Sequence, residues 1–249
     1  MIDFDDLTLI VCSYNTPDIL ETMLKSFVFH HKTKNPMSII VMENSTNELT
    51  VRMLQKNKIP YVRNKGMTHS IAVDIALKNV KTKYALLVDS DIIFNRSVEE
   101  VYKQFVSNGV CILGEVGGDR GGYRLYPRVY PWFCMIDMEQ INKHNITFHD
   151  QKRIDSTNSG KFFGNIPLNF DHNGHYYDVG STFLEDIHKN NLKIANVKLD
   201  DVFFTHLEGM SWHKETNIGW FLDVYKNKEP KIFMNMMKYK SASINRKFV

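Results

Sequence analysis

The feature that most constrains the fold is a series of short apolar runs, separated by segments with helical patterns, in the first 95 residues. The runs are LTLIVCS (7–13), MSIIVME (37–43), IPYVR (59–63) and YALLVDSDIIF (84–94). A β-α-β-α-β-α-β order with almost continuously apolar strands is typical of a parallel sheet that helices cover on both faces. The sequence therefore predicts an α/β fold with a mostly parallel sheet.

The segments between these runs carry helix signals. Thr16 is predicted to be the N-cap and Pro17 the first residue of a helix whose apolar residues recur every 3.6 positions. A shorter helix is predicted over 47–57. After Gly66, a third helix is predicted to bury one apolar face, formed by Ile71, Ala72, Ile75 and Ala76.

The rest of the chain has a less regular pattern. A helix over 97–109 and a strand over 110–117 precede a Gly-, Arg- and Tyr-rich segment, 117–131, that we interpret as a loop or lid. A strand that turns into a helix follows. The polar, turn-rich stretch 150–177 is interpreted as a surface loop region, and a helix and a strand are predicted after it.

Length and composition fit one soluble domain over 1–249, with a regular half to about residue 95 and a less regular half over about 96–225. The net charge of +3 is too small to indicate a nucleic-acid or membrane partner. The segment 226–249 is basic, however, which leaves peripheral contact with a membrane or nucleic acid open beside the simpler interpretation of a packed terminal helix. Richness in Asn, Lys and Ile indicates an AT-rich genome, such as that of a virus or phage.

The three cysteines, Cys12, Cys111 and Cys134, form no metal-binding or disulfide pattern, which favours a reducing compartment. No basic flank precedes the first apolar run, so no signal peptide is predicted. No apolar run has the length of a transmembrane helix. We therefore expect a cytoplasmic location, in the host cytoplasm if the protein is viral.

Polar clusters follow three of the predicted strands, and ligands of parallel sheets bind beyond the carboxyl ends of the strands. The clusters are Ser13-Tyr14-Asn15, Glu43-Asn44-Ser45 and Asp89-Ser90-Asp91. We expect all three to line one crevice.

The Asp-Ser-Asp cluster is the strongest chemical signal in the chain. Ionised carboxylates beside a core are costly unless a positive group pairs with them. Asp89 and Asp91, one residue apart, can both reach one hard cation such as Mg²⁺ or Mn²⁺, which prefers carboxylate oxygens and keeps positions open for phosphate oxygens. The alternatives are a pair of solvated turn residues or a capping Asp before Ser97.

The four strand segments in register resemble the nucleotide-binding half of inverting GT-A glycosyltransferases of the family-2 type. The segments are LTLIVCSYNTPDILETMLKSF, IIVMENST, RNKGMTHSIAVDIAL and YALLVDSDIIF, over about residues 7–95. The resemblance implies a GT-A fold, a nucleotide-diphosphate-sugar donor, with UDP favoured, and a divalent metal at Asp89 and Asp91. It also implies that the less regular half binds the acceptor.

The resemblance assigns roles to individual positions. Ser13, Tyr14 and Asn15 would line the base and ribose, and Glu43 stands where the family usually has Asp. Other donor contacts would come from the family's Asn-x-Gly element and from the metal motif. The residues at these places are Asn64, Gly66, Asp89 and Ser90, with Asp74 where Asn is common.

Two residues of the second half complete the expected chemistry. An inverting transfer needs a carboxylate that deprotonates the acceptor hydroxyl, and the family places it just before a helix, where Asp178 stands. The alternative is a helix-terminal charge favoured by the dipole, and Glu185 and Asp186 are the second choice, read as solvated mid-helix residues. His206, after an apolar strand, resembles the late His that completes the metal site in many GT-A enzymes.

Further donor or acceptor contacts are left open. His213 could meet the diphosphate, and arginines of the Gly-rich segment could clamp it. Aromatic rings could stack on sugar or base, although core positions are their usual place. The residues are Arg120, Arg124, Arg128, Trp132, Trp212 and Trp220.

Two other functions compete with the glycosyltransferase. A nucleotidyltransferase on a similar fold normally carries a Gly-rich basic loop after the first strand, which CSYNTPD is not. A non-catalytic sugar- or nucleotide-binding module would not need Asp89, Asp91, Asp178 and His206 together. The acceptor is not predicted: a glycan, a glycolipid, a protein side chain or a modified base in DNA all remain open.

Overall fold

The computed structural model describes residues 4–32, 35–118, 126–156, 158–163, 166–169, 177–197 and 203–207, with Met234, 237–239, Ile244 and Phe248. The strands are β1 (Leu7–Ser13), β2 (Ser38–Glu43), β3 (Tyr61–Arg63), β4 (Tyr84–Asp89), β5 (Ile92–Phe94), β6 (Ile112–Gly117), β7 (Arg128–Asp137), β8 (Asn158–Phe163), β9 (Ile166–Asn169), β10 (Ile194–Asn196) and β11 (Phe204–His206). The helices are α1 (Pro17–His30), α2 (Leu49–Lys56), α3 (His69–Asn79), α4 (Glu99–Asn108), α5 (Met138–His144), α6 (Gln151–Ser156) and α7 (Ser181–Lys189).

Seven strands form one sheet in the order β10-β6-β7-β4-β1-β2-β3. Strands β4, β1, β2 and β3 are parallel neighbours, so their carboxyl ends share one edge of the sheet. Strand β7 lies between β4 and β6 and runs antiparallel to both. The predicted α/β class with a mostly parallel sheet is confirmed.

Helices cover both faces of the sheet because successive strand residues point to opposite sides. Leu9 and Val11 of β1 pack with α1, α2 and α4 in one apolar cluster. Ile10 packs with α3, α5 and α7 in the other cluster. All seven residues of β1 are buried, as expected of a central strand covered on both faces.

The predicted apolar face of α3 is displaced by one position. Ala72 and Ala76 are buried, but Ile71 and Ile75 lie at the margin, and Val73 and Leu77 take the core positions instead. The predicted and the observed apolar faces share the two alanines, and the large residues that pack on the sheet are Val73 and Leu77. Among the described residues, no helix is long and apolar enough to cross a membrane.

Two interpretations of the second half are wrong. The segment read as a loop up to residue 131 contains the start of β7, which begins at Arg128 and pairs with β6. The stretch 150–177, read as a surface loop region, contains α6 and the antiparallel hairpin β8–β9. In both places, polar and Gly residues interrupt the apolar pattern that would have indicated a strand or a helix.

Candidate functional site

The three polar clusters lie at one edge of the sheet, as the sequence predicts. Ser13 is paired in register with Glu43, and Cys12, one residue earlier, is paired with Asp89. The backbone ladder continues past the strands, because the Asn44 amide donates to Ser13 O over 2.9 Å. The loops after β1, β2 and β4 therefore border a common crevice.

Asp89, Asp91 and His206 come together beside β4. One ligand atom from each of the three lies within 4.8 Å of the others. His206 Nε2 is 3.5 Å from Asp91 Oδ1. Two carboxylates and an imidazole at such distances are a donor set that Mn²⁺ accepts readily, so these residues could hold a divalent cation.

A short ribbon of two strands places His206 in this group. Strand β11 pairs antiparallel with β5, which sets His206 opposite Ile92, next to Asp91. The Leu207 amide donates to Asp91 O over 2.9 Å. The Trp132 ring stacks on the His206 ring at 5.1 Å between centroids and fixes its plane. Trp132, for which the sequence analysis gave a core position as the usual place, is partly buried and packs between the core and His206.

The pKa of Asp89 is raised by its surroundings. Burial raises its pKa, and the charge of Asp91 raises it further, while His69, His206 and Arg128 oppose this increase. A buried carboxylate with a like charge beside it is unfavourable unless a cation compensates it. The residues present thus fit a divalent cation both by donor type and by charge.

Hydroxyl and amide groups connect the loops around the crevice. Thr16 is at the N-cap position of α1, but its hydroxyl makes no capping bond and instead lies 3.2 Å from Ser90 Oγ. Asn15 has a φ of 54°, and its amide donates to Ser45 Oγ over 2.8 Å. Tyr14, which precedes Asn15, is exposed. These contacts tie the ends of β1, β2 and β4 together.

Glu43 is fully buried, and only one of its two carboxylate oxygens accepts a hydrogen bond. Its Oε1 accepts from the Ser45 amide over 2.8 Å. Its Oε2 has no hydrogen-bond partner and lies 3.5 Å from Arg63 Nε. The Asn64 side-chain nitrogen is likewise buried without a hydrogen-bond partner. The Asn64 backbone N–H donates to the Glu43 carbonyl oxygen. Unpaired buried polar groups are rare in native proteins and often mark a place where a ligand binds.

Gly66 has a φ of 77°, a conformation that glycine adopts without strain. Its amide donates to Asn44 O over 3.2 Å, which closes the turn between β3 and α3 against the end of β2. Asp74 of α3 accepts from the Phe148 and His149 amides and so anchors the loop before α6. Its role in this structure is a structural connection between the two halves of the domain.

Asp178 lies in the turn before α7 and forms an ion pair with Arg128 of β7. Its second oxygen accepts from the Val179 amide over 2.7 Å. Gly180 follows with a φ of 88°, and a Cβ there would lie 2.1 Å from Val129 O. Only glycine allows this close approach, which brings the Asp178 turn against β7.

Arg128 joins the Asp178 turn to the metal group, since its charge acts on Asp89 as well. The guanidinium is almost fully buried and lies over the Tyr130 ring at 4.7 Å. The sequence analysis placed Arg128 in a loop and left open whether it clamps a diphosphate or an anionic acceptor. The structure places it on a strand, as the partner of Asp178.

Glu185 and Asp186, which the sequence interpretation had as solvated mid-helix residues, are partly buried and paired with Arg153. Arg153 of α6 donates to Glu185 at 3.0 Å and to Asp186 at 3.0 Å. The Tyr177 hydroxyl donates to Glu185 over 2.8 Å. Sequence reasoning missed Arg153 because it lies within the stretch taken for a loop.

Sequence reasoning also missed His69, the first residue of α3, whose Nε2 lies 3.5 Å from Asp89 Oδ1. Its position just after Gly66 was the available signal. Several predicted contacts lie outside the described residues: Arg120, Arg124, Trp212, His213 and Trp220, with most of the segment 226–249.

A sequence model of glycosyl transferase family 2 matches residues 8–176, more than half of the chain. The chain belongs to glycosyl transferase family 2. The match includes β1 to β4 and the Asp-Ser-Asp cluster, and it favours a glycosyltransferase over the nucleotidyltransferase alternative. Among curated proteins, none matches the chain significantly.

Solved structures with the same fold are glycosyltransferases. A mannosyltransferase from Pyrobaculum calidifontis, PcManGT, in complex with GDP-Man and Mn²⁺, has 12% identity and a TM-score of 0.54, covering 95% of this chain and 65% of its own. S. aureus TarS 1-349 in complex with UDP has 17% identity and a TM-score of 0.51, covering 83% and 62%. The galactosyltransferase LgtC has 12% identity and a TM-score of 0.51, covering 94% and 96%.

At these identities the structural likeness shows the fold alone. This family 2 chain spans only 38% of the TarS chain in another of its structures. The GT-A fold predicted from the four strand segments is confirmed.

Proposed function

We propose that the protein transfers a sugar from a nucleotide-diphosphate-sugar to an acceptor hydroxyl, with inversion at the anomeric carbon and with a divalent cation. The observation that carries the proposal is the approach of Asp89, Asp91 and His206 to within 4.8 Å at the carboxyl edge of the sheet. Family membership supports the reaction class.

Asp89, Asp91 and His206 would hold the cation, and Mn²⁺ suits the imidazole nitrogen better than Mg²⁺ does. When bound, the cation neutralises the charge that develops on the leaving diphosphate. The raised pKa of Asp89 supports the assignment, because a bound cation would offset both the desolvation of this carboxylate and the like charge of Asp91.

The donor nucleotide would lie across the ends of β1, β2 and β4. Glu43 Oε2 and the Asn64 side-chain nitrogen are both buried and have no hydrogen-bond partner. They are an acceptor and a donor for a base or ribose. We propose UDP as the donor nucleotide, supported by the TarS structure with UDP, and GDP is the alternative, supported by PcManGT with GDP-Man. The remaining donor contacts would come from Ser13, Tyr14, Asn15, Gly66, Asp89 and Ser90.

Asp178 would act as the general base. It would take the proton from the acceptor hydroxyl as that oxygen bonds to the anomeric carbon and the bond to the diphosphate oxygen breaks. Arg128 and the Val179 amide fix the carboxylate in one orientation. Fixed orientation supports this role, since a base must be held within hydrogen-bond reach of the proton it removes.

A thermal-shift panel tests the proposal. UDP-, GDP-, dTDP- and CMP-sugars are each added with Mn²⁺ and with EDTA. A ligand that binds only the folded state raises the Tm, so one nucleotide class should raise it in Mn²⁺ and not in EDTA. A shift of equal size in EDTA would contradict the metal site, and no shift with any nucleotide would favour the non-catalytic module.

A further inference from the structure

Each carboxylate of the Asp-Ser-Asp cluster has its own imidazole neighbour. His206 Nε2 lies 3.5 Å from Asp91 Oδ1, and His69 Nε2 lies 3.5 Å from Asp89 Oδ1. The two histidines come from opposite sides, His206 from β11 and His69 from the start of α3. Only His206 belongs to the group whose ligand atoms lie within 4.8 Å of one another. His69 therefore stands outside that group and touches it through Asp89.

The His69 ring is turned so that its Nε2 faces inward. The side chain is 32% exposed, yet the Nε2 atom is buried and has no hydrogen-bond partner at normal distance. A polar ring atom is rarely left buried in this way unless it serves a neighbouring group. The backbone before it is fixed, because the Gly66 amide bonds Asn44 O and the Met67 amide bonds Asn64 O.

We propose that His69 is a positioning residue that holds Asp89 in the orientation needed to bind the cation and the donor. This inference rests on the proposed function. Carboxylates that bind metals are themselves held by hydrogen bonds, and these outer partners set metal affinity. A shortening of the 3.5 Å contact between His69 Nε2 and Asp89 Oδ1 to a hydrogen bond would hold that oxygen and leave Asp89 Oδ2 available to the cation.

Mn²⁺ binding measured by electron paramagnetic resonance on the donor-free protein provides a readout that is independent of turnover. His69→Ala should bind Mn²⁺ about 10-fold more weakly than the wild type, the lower end of the loss usual for such partners. His69→Gln should restore most of the affinity, because its side-chain nitrogen can donate to the same oxygen. His149→Ala is the matched control, because the two ring nitrogens of His149 form hydrogen bonds with Ser70 and Gln151 and not with the Asp-Ser-Asp cluster.

A double-mutant cycle tests the route through Asp89. In an Asp89→Asn background, His69→Ala should cause no further loss of Mn²⁺ affinity. The inference would be overturned if His69→Ala lowered Mn²⁺ affinity by the same factor in the Asp89→Asn background as in the wild type. It would also be overturned if His69→Ala alone bound Mn²⁺ as tightly as the wild type. Failure of the wild type to bind Mn²⁺ or Mg²⁺ would overturn the metal site of the proposed function itself, and the inference with it. Circular dichroism of the metal-free variants establishes that each is folded.

Discussion

At the scale of single residues, the candidate site is a row of neighbouring titratable side chains that extends from Asp91 to Asp178. Asp91 neighbours His206, Asp89 feels the charge of Arg128, and Arg128 pairs with Asp178. One guanidinium therefore links the carboxylates proposed to hold the metal to the carboxylate proposed as the base.

Asp178→Asn tests the base. The Asn side chain has one acceptor oxygen, which can serve either Arg128 or the Val179 backbone amide but not both, and it cannot take a proton. We expect kcat to fall roughly 100- to 10,000-fold, the usual contribution of general base catalysis, with unchanged donor affinity. The measurement is initial-rate kinetics with a donor found in the thermal-shift panel.

Glu185→Gln is the control for this assignment, since Glu185 was the second choice for the base. It is held by Arg153 and Tyr177, and we expect it to retain most of the activity. A large loss in Glu185→Gln together with normal activity in Asp178→Asn would show that the base is wrongly assigned.

Gly180→Ala tests how the turn is built. Its φ of 88° is strained for any other residue, and the new Cβ would lie 2.1 Å from Val129 O, a backbone atom. We expect the free energy of unfolding to fall by at least roughly 1–3 kcal/mol, measured by urea denaturation. Gly109→Ala is the control: its φ is 57° but its Cβ would meet nothing within 4 Å. Equal losses in the two variants would mean that the close approach to β7 costs nothing.

At the scale of elements, the first half was predictable because each of its signals is local. A strand such as β1 is an unbroken apolar run, and Pro17 marks the start of α1. The second half depends on pairings across long distances in sequence. Strand β11 has three residues and pairs with β5. The sequence predicted an apolar strand before His206, but only the resemblance to GT-A enzymes predicted that His206 joins Asp89 and Asp91.

The connection of α6 to α7 illustrates the same limit. Arg153 bonds Asp150 within its own turn and reaches Glu185 and Asp186 on α7. Burial and the Glu185 hydrogen bond raise the pKa of Tyr177, which stacks on Tyr126. The sequence interpretation had Glu185 and Asp186 as solvated, because their partner Arg153 lies 32 and 33 positions away in the chain.

Arg153→Ala should therefore weaken the second half. Three carboxylates lose their common partner, and we expect the free energy of unfolding to fall by about 1–2 kcal/mol, an amount reduced by partial exposure. The loss should shrink as salt is added. Lys103→Ala, which removes the exposed pair with Glu99, is the control and should change stability by less than about 0.5 kcal/mol. An effect of Arg153→Ala no larger than this control would contradict the account.

At the scale of the whole molecule, the sheet order explains why distant residues meet. Parallel strands β4, β1 and β2 bring Asp89, Ser13 and Glu43 to one edge. Antiparallel β7 runs back beside β4 and sets Phe133 opposite Val88, so its first residues, including Arg128, approach the same edge. The sequence predicted the first part of this convergence, and the antiparallel strand supplied the part it did not.

The most direct test of the central claim is calorimetric titration of UDP and GDP into the wild type and Asp91→Asn, each in Mn²⁺ and in EDTA. We predict that one nucleotide binds the wild type in Mn²⁺ and that EDTA or Asp91→Asn weakens this binding about tenfold or more. Glu99→Gln, on the remote helix α4, should bind as the wild type does. Equally tight binding in EDTA, or by Asp91→Asn in Mn²⁺, would contradict a metal-dependent donor site at Asp89 and Asp91.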